Sequence, residues 1–145
     1  VSQLRYALEL KSFTLAVQNA TERDLEDLRG IISQLDMGVV GEEENVLLDK
    51  RLHYPIARAS GNMLFVEILQ ALSDVMDRFI ADLRQDIMSE ELRKQKLHAA
   101  HRCIVESIFT KDVAAGSAAV AEHFALIDQR LEARGENIEF KNIKL

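Results

Sequence analysis

The chain has 145 residues, 48% of them hydrophobic, and its 18 Lys+Arg against 24 Asp+Glu leave a formal charge of −6. That length fits one domain able to bury roughly 68–70% of the unfolded surface, and the apolar share excludes a disordered chain. The acidic balance argues against a phosphate-gripping nucleic-acid surface, the single cysteine, Cys103, excludes a disulfide framework and any Cys-rich zinc site, and no apolar run approaches the ~20 residues of a membrane span.

With only six Gly and one Pro, tight turns are scarce and long helices are favoured. The first segment, from about Ser2 to Ala20, places Leu4, Leu8, Phe13, Ala16 and Val17 on helical spacing. Thr21 has the character of an N-cap, with Glu22 and Asp24 in the first turn, where the helix dipole favours negative charge. The second helix carries Leu25, Leu28, Ile31, Ile32 and Leu35 and stops near Gly38. Gly41 and the run Glu42-Glu43-Glu44 read as a solvated loop leading into a third helix over about Glu44 to Ala59. That helix contains Pro55, whose ring frees the Arg51 carbonyl and predicts a kink, and it ends at Ser60-Gly61-Asn62.

A fourth helix follows, with Leu64, Phe65, Ile68, Leu69, Leu72, Val75, Met76, Phe79, Ile80 and Leu83 in a broad stripe that predicts burial along much of its length. Ser89 caps a fifth helix whose apolar face includes Leu92, Leu97, Ile104, Val105 and Ile108. Thr110-Lys111-Asp112 is a short break with Asp112 as the next cap. The sixth helix carries Val113, Val120, Phe124, Ile127 and Leu131 and ends at Gly135. The tail from Glu136 has no clear period. Helices with such short connections predict an all-α antiparallel bundle of six to seven helices, one domain over residues 1–145.

The four histidines are the informative residues. His53 follows Asp49 by four, so carboxylate and imidazole share a helix face about 5–6 Å apart at Cβ. His101 lies on the apolar stripe of the fifth helix and His123 on that of the sixth; His98 precedes His101 by three. One histidine on an apolar face is ordinarily a hydrogen-bonded core residue. Three inward-tending histidines and one aspartate from three helices are costly to bury unless they share a partner, and a divalent cation satisfies all of them together. Spacing alone leaves both readings open. Imidazole-rich ligation suits Zn, Ni, Cu or Fe, and the carboxylate also admits Mn. One Asp and three neutral His would leave such an ion a net positive charge that attracts a small carboxylate.

Other chemistries lack their residues. Di-iron bundles need Glu-x-x-His pairs, but Lys50, Gln95, His98 and Val120 stand three before the four histidines. There is no His-Glu-x-x-His, Gly-x-Ser-x-Gly or phosphate-cradling glycine loop. A metal-dependent hydrolase would need a general base beside the ligands. Glu106 and Glu122 are nearest in sequence, and both fall off the apolar stripes. Cys103, two residues after His101, reads as a packing residue.

The segment from Asp49 to Asn62, DKRLHYPIARASGN, resembles the Asp-x-x-x-His helix and Ser-Gly-Asn turn of the C-terminal effector-binding domain, the FCD domain, of GntR-family bacterial transcription regulators of the FadR type. His101 to Ile108, HRCIVESI, is similar to that family's His-x-x-(Ile/Leu)-x-x-(Ala/Ser)-Ile segment. Asp112 followed by His123 resembles its Gly-Asp…His ending, with Lys111 where glycine is usual. The opening from Leu4 to Glu9 resembles its first helix, so the likeness spans nearly the whole chain in order.

This resemblance implies an antiparallel helical bundle with a central cavity and a metal, Zn foremost with Ni or Mn as the other candidates, held by Asp49, His53, His101 and His123. It implies a small carboxylate effector, with Arg5 and Asn62 as anchors and His98 as a cavity-lining neighbour. The other reading of Arg5 is a surface ion pair with Glu9, and that of Asn62 a helix-terminal residue. A GntR-type regulator is a cytoplasmic homodimer that binds DNA through an N-terminal winged helix-turn-helix. This chain carries no such segment, so it would sense and dimerise rather than catalyse or bind DNA itself. The remaining alternative is a plain dimerisation bundle with buried histidines.

Overall fold

The computed structural model describes residues 2–37, 52–75 and 91–133, and they contain helices and no strand. In chain order these are α1 (Ser2–Asn19), α2 (Glu22–Asp36), α3 (52–59), α4 (63–75), α5 (Glu91–Thr110) and α6 (Val113–Ala133). The all-α expectation therefore holds across everything described.

The helix ends follow the caps legible in the sequence. Thr21 Oγ1 accepts the Asp24 amide at 3.2 Å while Asp24 Oδ2 accepts the Thr21 amide at 2.9 Å, a reciprocal box that satisfies two otherwise orphaned donors. Asp112 Oδ1 accepts the Ala115 amide at 3.0 Å and starts α6. Just before it, the Asp112 amide reaches back to the Ser107 carbonyl at 3.0 Å and Lys111 takes a left-handed φ of 56°. This is a Schellman closure of α5, with lysine in the position that glycine fills at least cost. Helical residues 52–59 run through Pro55 and close at Ser60-Gly61, where Gly61 has φ 82°. Asn19 Nδ2 donates to the Ser60 carbonyl at 2.9 Å and ties the end of α1 to that turn.

The short connection between α5 and α6 folds them into an antiparallel hairpin, which packs more extensively than α1 on either of them or α2 on α5. α1 packs on both, more on α6, and α2 packs on α5. A continuous core joins Phe13, Ala16 and Val17 of α1, Leu28 and Ile31 of α2, Leu52, Ile56 and Ala59 of α3, Ile104, Val105 and Ile108 of α5, and Val120 and Phe124 of α6. Each fully buried side chain of that size is worth about 1.5–3 kcal/mol of transfer free energy.

Two stripes differ from expectation. On α1 the buried row is Arg5, Glu9, Ser12, Phe13, Ala16 and Val17, while Leu4 is exposed. The row keeps helical spacing, but its first two turns are charged, so an apolar pattern cannot find it. On α4 only Leu69 and Ser73 are buried, whereas Leu64 (60% exposed), Ile68 and Val75 face outward. Periodicity places those residues on one face; it does not supply a covering element. Leu92 and Val113, at the starts of α5 and α6, are likewise exposed because their stripes begin one turn deeper. The expected caps at Gly38, Ser89 and Gly135, the loop at Gly41 to Glu44, the Arg51 carbonyl and the stripe from Met76 to Leu83 lie outside the described residues.

Candidate metal centre

Three helices each aim one histidine at the same point inside the bundle. His53 sits between Leu52 and Ile56 on α3, His101 between Leu97 and Ile104 on α5, and His123 between Val120 and Ile127 on α6, so each lies on the face its helix buries. Their relative exposures are 8%, 3% and 1%. Ring centroids are 5.6 Å apart for His53–His101, 4.9 Å for His53–His123 and 4.8 Å for His101–His123. One nitrogen from each ring belongs to a set in which all donors lie within 4.8 Å of one another. Phe124 closes the cluster on one side, edge-on to His123 at 4.9 Å.

Glu9 and Arg5 of α1 complete the polar interior. Glu9 Oε1 lies 2.5 Å from His53 Nδ1, and Glu9 Oε2 lies 3.2 Å from Arg5 Nε. Arg5 and Glu9 are only 2% and 5% exposed, so this pair is a core feature rather than the surface pair considered from spacing. Burial pushes the Glu9 carboxyl up, but Arg5 first and then His53 and His123 outweigh it and lower its pKa from the ordinary 4.5 to about 2. Glu9 is therefore ionised at neutral pH, and Arg5 balances its charge. The guanidinium carbon also stands 5.8 Å over the Phe124 ring.

A cavity beside the cluster is lined by Glu9, Ser12, Phe13, His53, Ile56, Ile104, Val120, His123 and Phe124. The space open to a water's centre is ≈ 10 Å³, about that of a single molecule.

The structure thus brings His53, His101 and His123 together. Asp49 lies outside the described residues. His98 is half-buried one turn before His101. Asn62 is exposed, and its Oδ1 accepts the Leu64 amide at 3.1 Å and caps α4. Glu106 and Glu122 are both exposed, and Glu106 accepts from Arg102 Nε at 2.8 Å. Cys103 is half-buried, with its sulfur 3.9 Å from Ser107 Oγ. Glu9 was visible in the sequence only as the i+4 neighbour of Arg5. Its contact with His53 crosses from α1 to α3, and no local spacing reports it.

The donor set fits a first-row divalent metal. Three imidazoles from three helices, enclosed by apolar side chains, are the ligands preferred by Zn and its neighbours. A tetrahedral shell with Zn–N near 2.0–2.1 Å spaces its nitrogens about 3.4 Å apart, so small rotamer changes would draw these donors onto one ion.

The family model of the FCD domain matches residues 1–126. A proposed regulatory protein of the L-lactate dehydrogenase operon in Escherichia coli (strain K12) is 22% identical over 139 residues, covering 94% of this chain and 52% of that protein. The corresponding protein of Shigella flexneri matches with the same identity and coverage. The chain spans about half the length of these curated relatives.

Proposed function

The chain belongs to the FCD domain family, and from that premise we propose that it is the ligand-sensing and dimerisation part of a GntR-type transcription regulator. It would hold a divalent metal, Zn foremost, on His53, His101, His123 and Asp49, and present the ion to a small carboxylate effector. The observation that carries the reading is the convergence of three buried imidazoles from α3, α5 and α6 within 4.8 Å. The ion supplies a fixed positive charge to which an anionic effector can bind. The chain's own residues do the rest. The imidazoles hold the ion, Phe124 and the core aliphatics keep the site dry, and the neutral sum of Arg5 and Glu9 leaves its attraction for an anion undiminished.

The effector class draws support from the relatives, whose names tie them to an operon for an enzyme of a small 2-hydroxy acid. DNA binding would belong to a part of the regulator beyond this chain, in keeping with its acidic charge. No helix among the described residues is long and apolar enough to cross a membrane, as a cytoplasmic homodimeric regulator requires. Signalling follows if the effector prefers one helix arrangement over another, since only differential affinity shifts an equilibrium.

The test is metal content and stability together. Protein purified without chelator should carry close to one transition metal per chain by mass spectrometry, lose thermal stability on chelation and regain it with zinc. In His101→Ala and His123→Ala both the bound metal and the zinc-dependent gain should vanish. A metal-free wild type whose melting temperature ignores both chelator and zinc would sink the proposal.

A further inference from the structure

We propose that Glu9 is a positioning residue of this site: its carboxylate fixes the orientation and tautomer of His53, and Arg5 holds that carboxylate in place. The inference rests on the metal-binding reading above and adds a residue from α1, a helix that contributes none of the imidazoles.

The two carboxylate oxygens of Glu9 have different tasks. Oε1 meets His53 Nδ1 at 2.5 Å and Oε2 meets Arg5 Nε at 3.2 Å. These are ion-pair contacts in which neither oxygen yet makes a well-aligned hydrogen bond, so a buried carboxylate between a guanidinium and an imidazole is left to take its proton donors from those two neighbours. A neutral imidazole has one N–H and one lone pair. An Nδ1–H turned to Glu9 would put the lone pair on Nε2 and fix His53 as an Nε2 donor before any ion arrives. Glu9 is not in the group whose donor atoms lie within 4.8 Å of one another, so it acts through His53 rather than on the ion. The arrangement also explains why charge sits in the core face of α1. A buried ion pair is seldom a gain in stability over apolar side chains of similar volume. Arg5 and Glu9 lie at the position where they can align a ligand histidine. Partners of this kind typically contribute 10–100-fold to metal affinity when removed one at a time.

The full chain provides the test. Nitrogen-15 histidine spectra of chelator-treated protein report the tautomer of His53 without metal, and competition with a chromophoric chelator reports zinc affinity. The wild type should show His53 protonated at Nδ1. In Arg5→Leu/Glu9→Leu, which removes both charges and leaves no buried ion behind, the bias toward that tautomer should disappear. Its zinc affinity should fall roughly 10–100-fold while the metal-free melting temperature stays close to wild type. Glu9→Gln, whose amide can pair with either tautomer, should lose part of both and serves as the milder variant. Zinc affinity unchanged in both variants, or His53 protonated at Nε2 in the wild type, would overturn the role of Glu9 and leave the metal site standing. A wild type that binds no zinc would overturn both.

Discussion

Gly116 of α6 lies directly against the ring of Phe13 of α1. A Cβ built on Gly116 would fall on Phe13 Cζ and lie 2.7 Å from both Cε1 and Cε2. Phe13 is 1% exposed and hemmed in by the core, so its ring cannot swing out of the way. Gly116→Ala should therefore cost about 3 kcal/mol of overpacking, offset by about 1 kcal/mol of helix propensity, for a net loss near 2 kcal/mol. For a domain of this size that lowers the melting temperature by roughly 4–8 °C. Phe13→Ala alone should cost about 3–5 kcal/mol. In the double variant the new methyl enters the space the ring vacated. The alanine then brings only its propensity gain, so the coupling energy should be near 3 kcal/mol. Urea unfolding of the four proteins, followed by circular dichroism, measures the cycle. Additivity within about 0.5 kcal/mol, with Gly116→Ala stabilising in both backgrounds, would refute the close approach. The consequence reaches the site. Phe13 is one turn beyond Glu9 and Gly116 two turns before His123, so the α1–α6 separation they set also places His123 relative to Glu9.

Three further outcomes follow from the same geometry. Because the Glu9 carboxyl lies at about 2 in the folded protein against an ordinary 4.5, the stability that its ionised form contributes beside Arg5 in the metal-free protein is complete above pH 4.5 and lost as the pH falls toward 2. Unfolding free energies across that range should therefore converge for wild type and Glu9→Gln, and a constant gap would contradict the assignment. Lys111→Gly should stabilise the protein by up to about 1 kcal/mol by relieving a left-handed residue with a side chain; denaturant midpoints would expose the opposite sign at once. Asp112→Ala removes the cap of α6 and should cost about 0.5–2 kcal/mol, seen as a lower melting temperature with an unchanged folded spectrum.

The sequence reading reached furthest where the physics is local. Thr21, the Ser60-Gly61-Asn62 turn and Asp112 mark helix ends because capping is decided within four residues. His101 and His123 were legible as inward because each lies on a stripe of clear apolar neighbours. Lys111 stands where the resembled pattern has glycine, and its φ of 56° gives that departure a backbone meaning. What was hidden is tertiary. The inward row of α1 begins with Arg5 and Glu9, and a pattern search based on apolarity passes over a charged core face. Asn62 reads from the sequence as a ligand anchor or a helix-terminal residue, and its cap on the Leu64 amide depends on where the turn sits in three dimensions. Leu64 and Ile68 share an apolar face with the buried Leu69, and only packing separates the covered from the bare.

The cavity beside the imidazoles has a bearing on speed. With ≈ 10 Å³ open to a water's centre, the cavity that the described residues form beside the imidazoles has room for about one water. If the proposed carboxylate effector reaches that cavity, the lining helices would have to part for it, a motion of the microsecond-to-second class. The effector's observed binding rate would rise with concentration and then level off at the opening rate of the bundle. A substitution that stabilises the closed bundle over the parted one would then slow the response even as it raises the melting temperature. For such a domain the packing that preserves the protein also sets how quickly it can register a change in its surroundings.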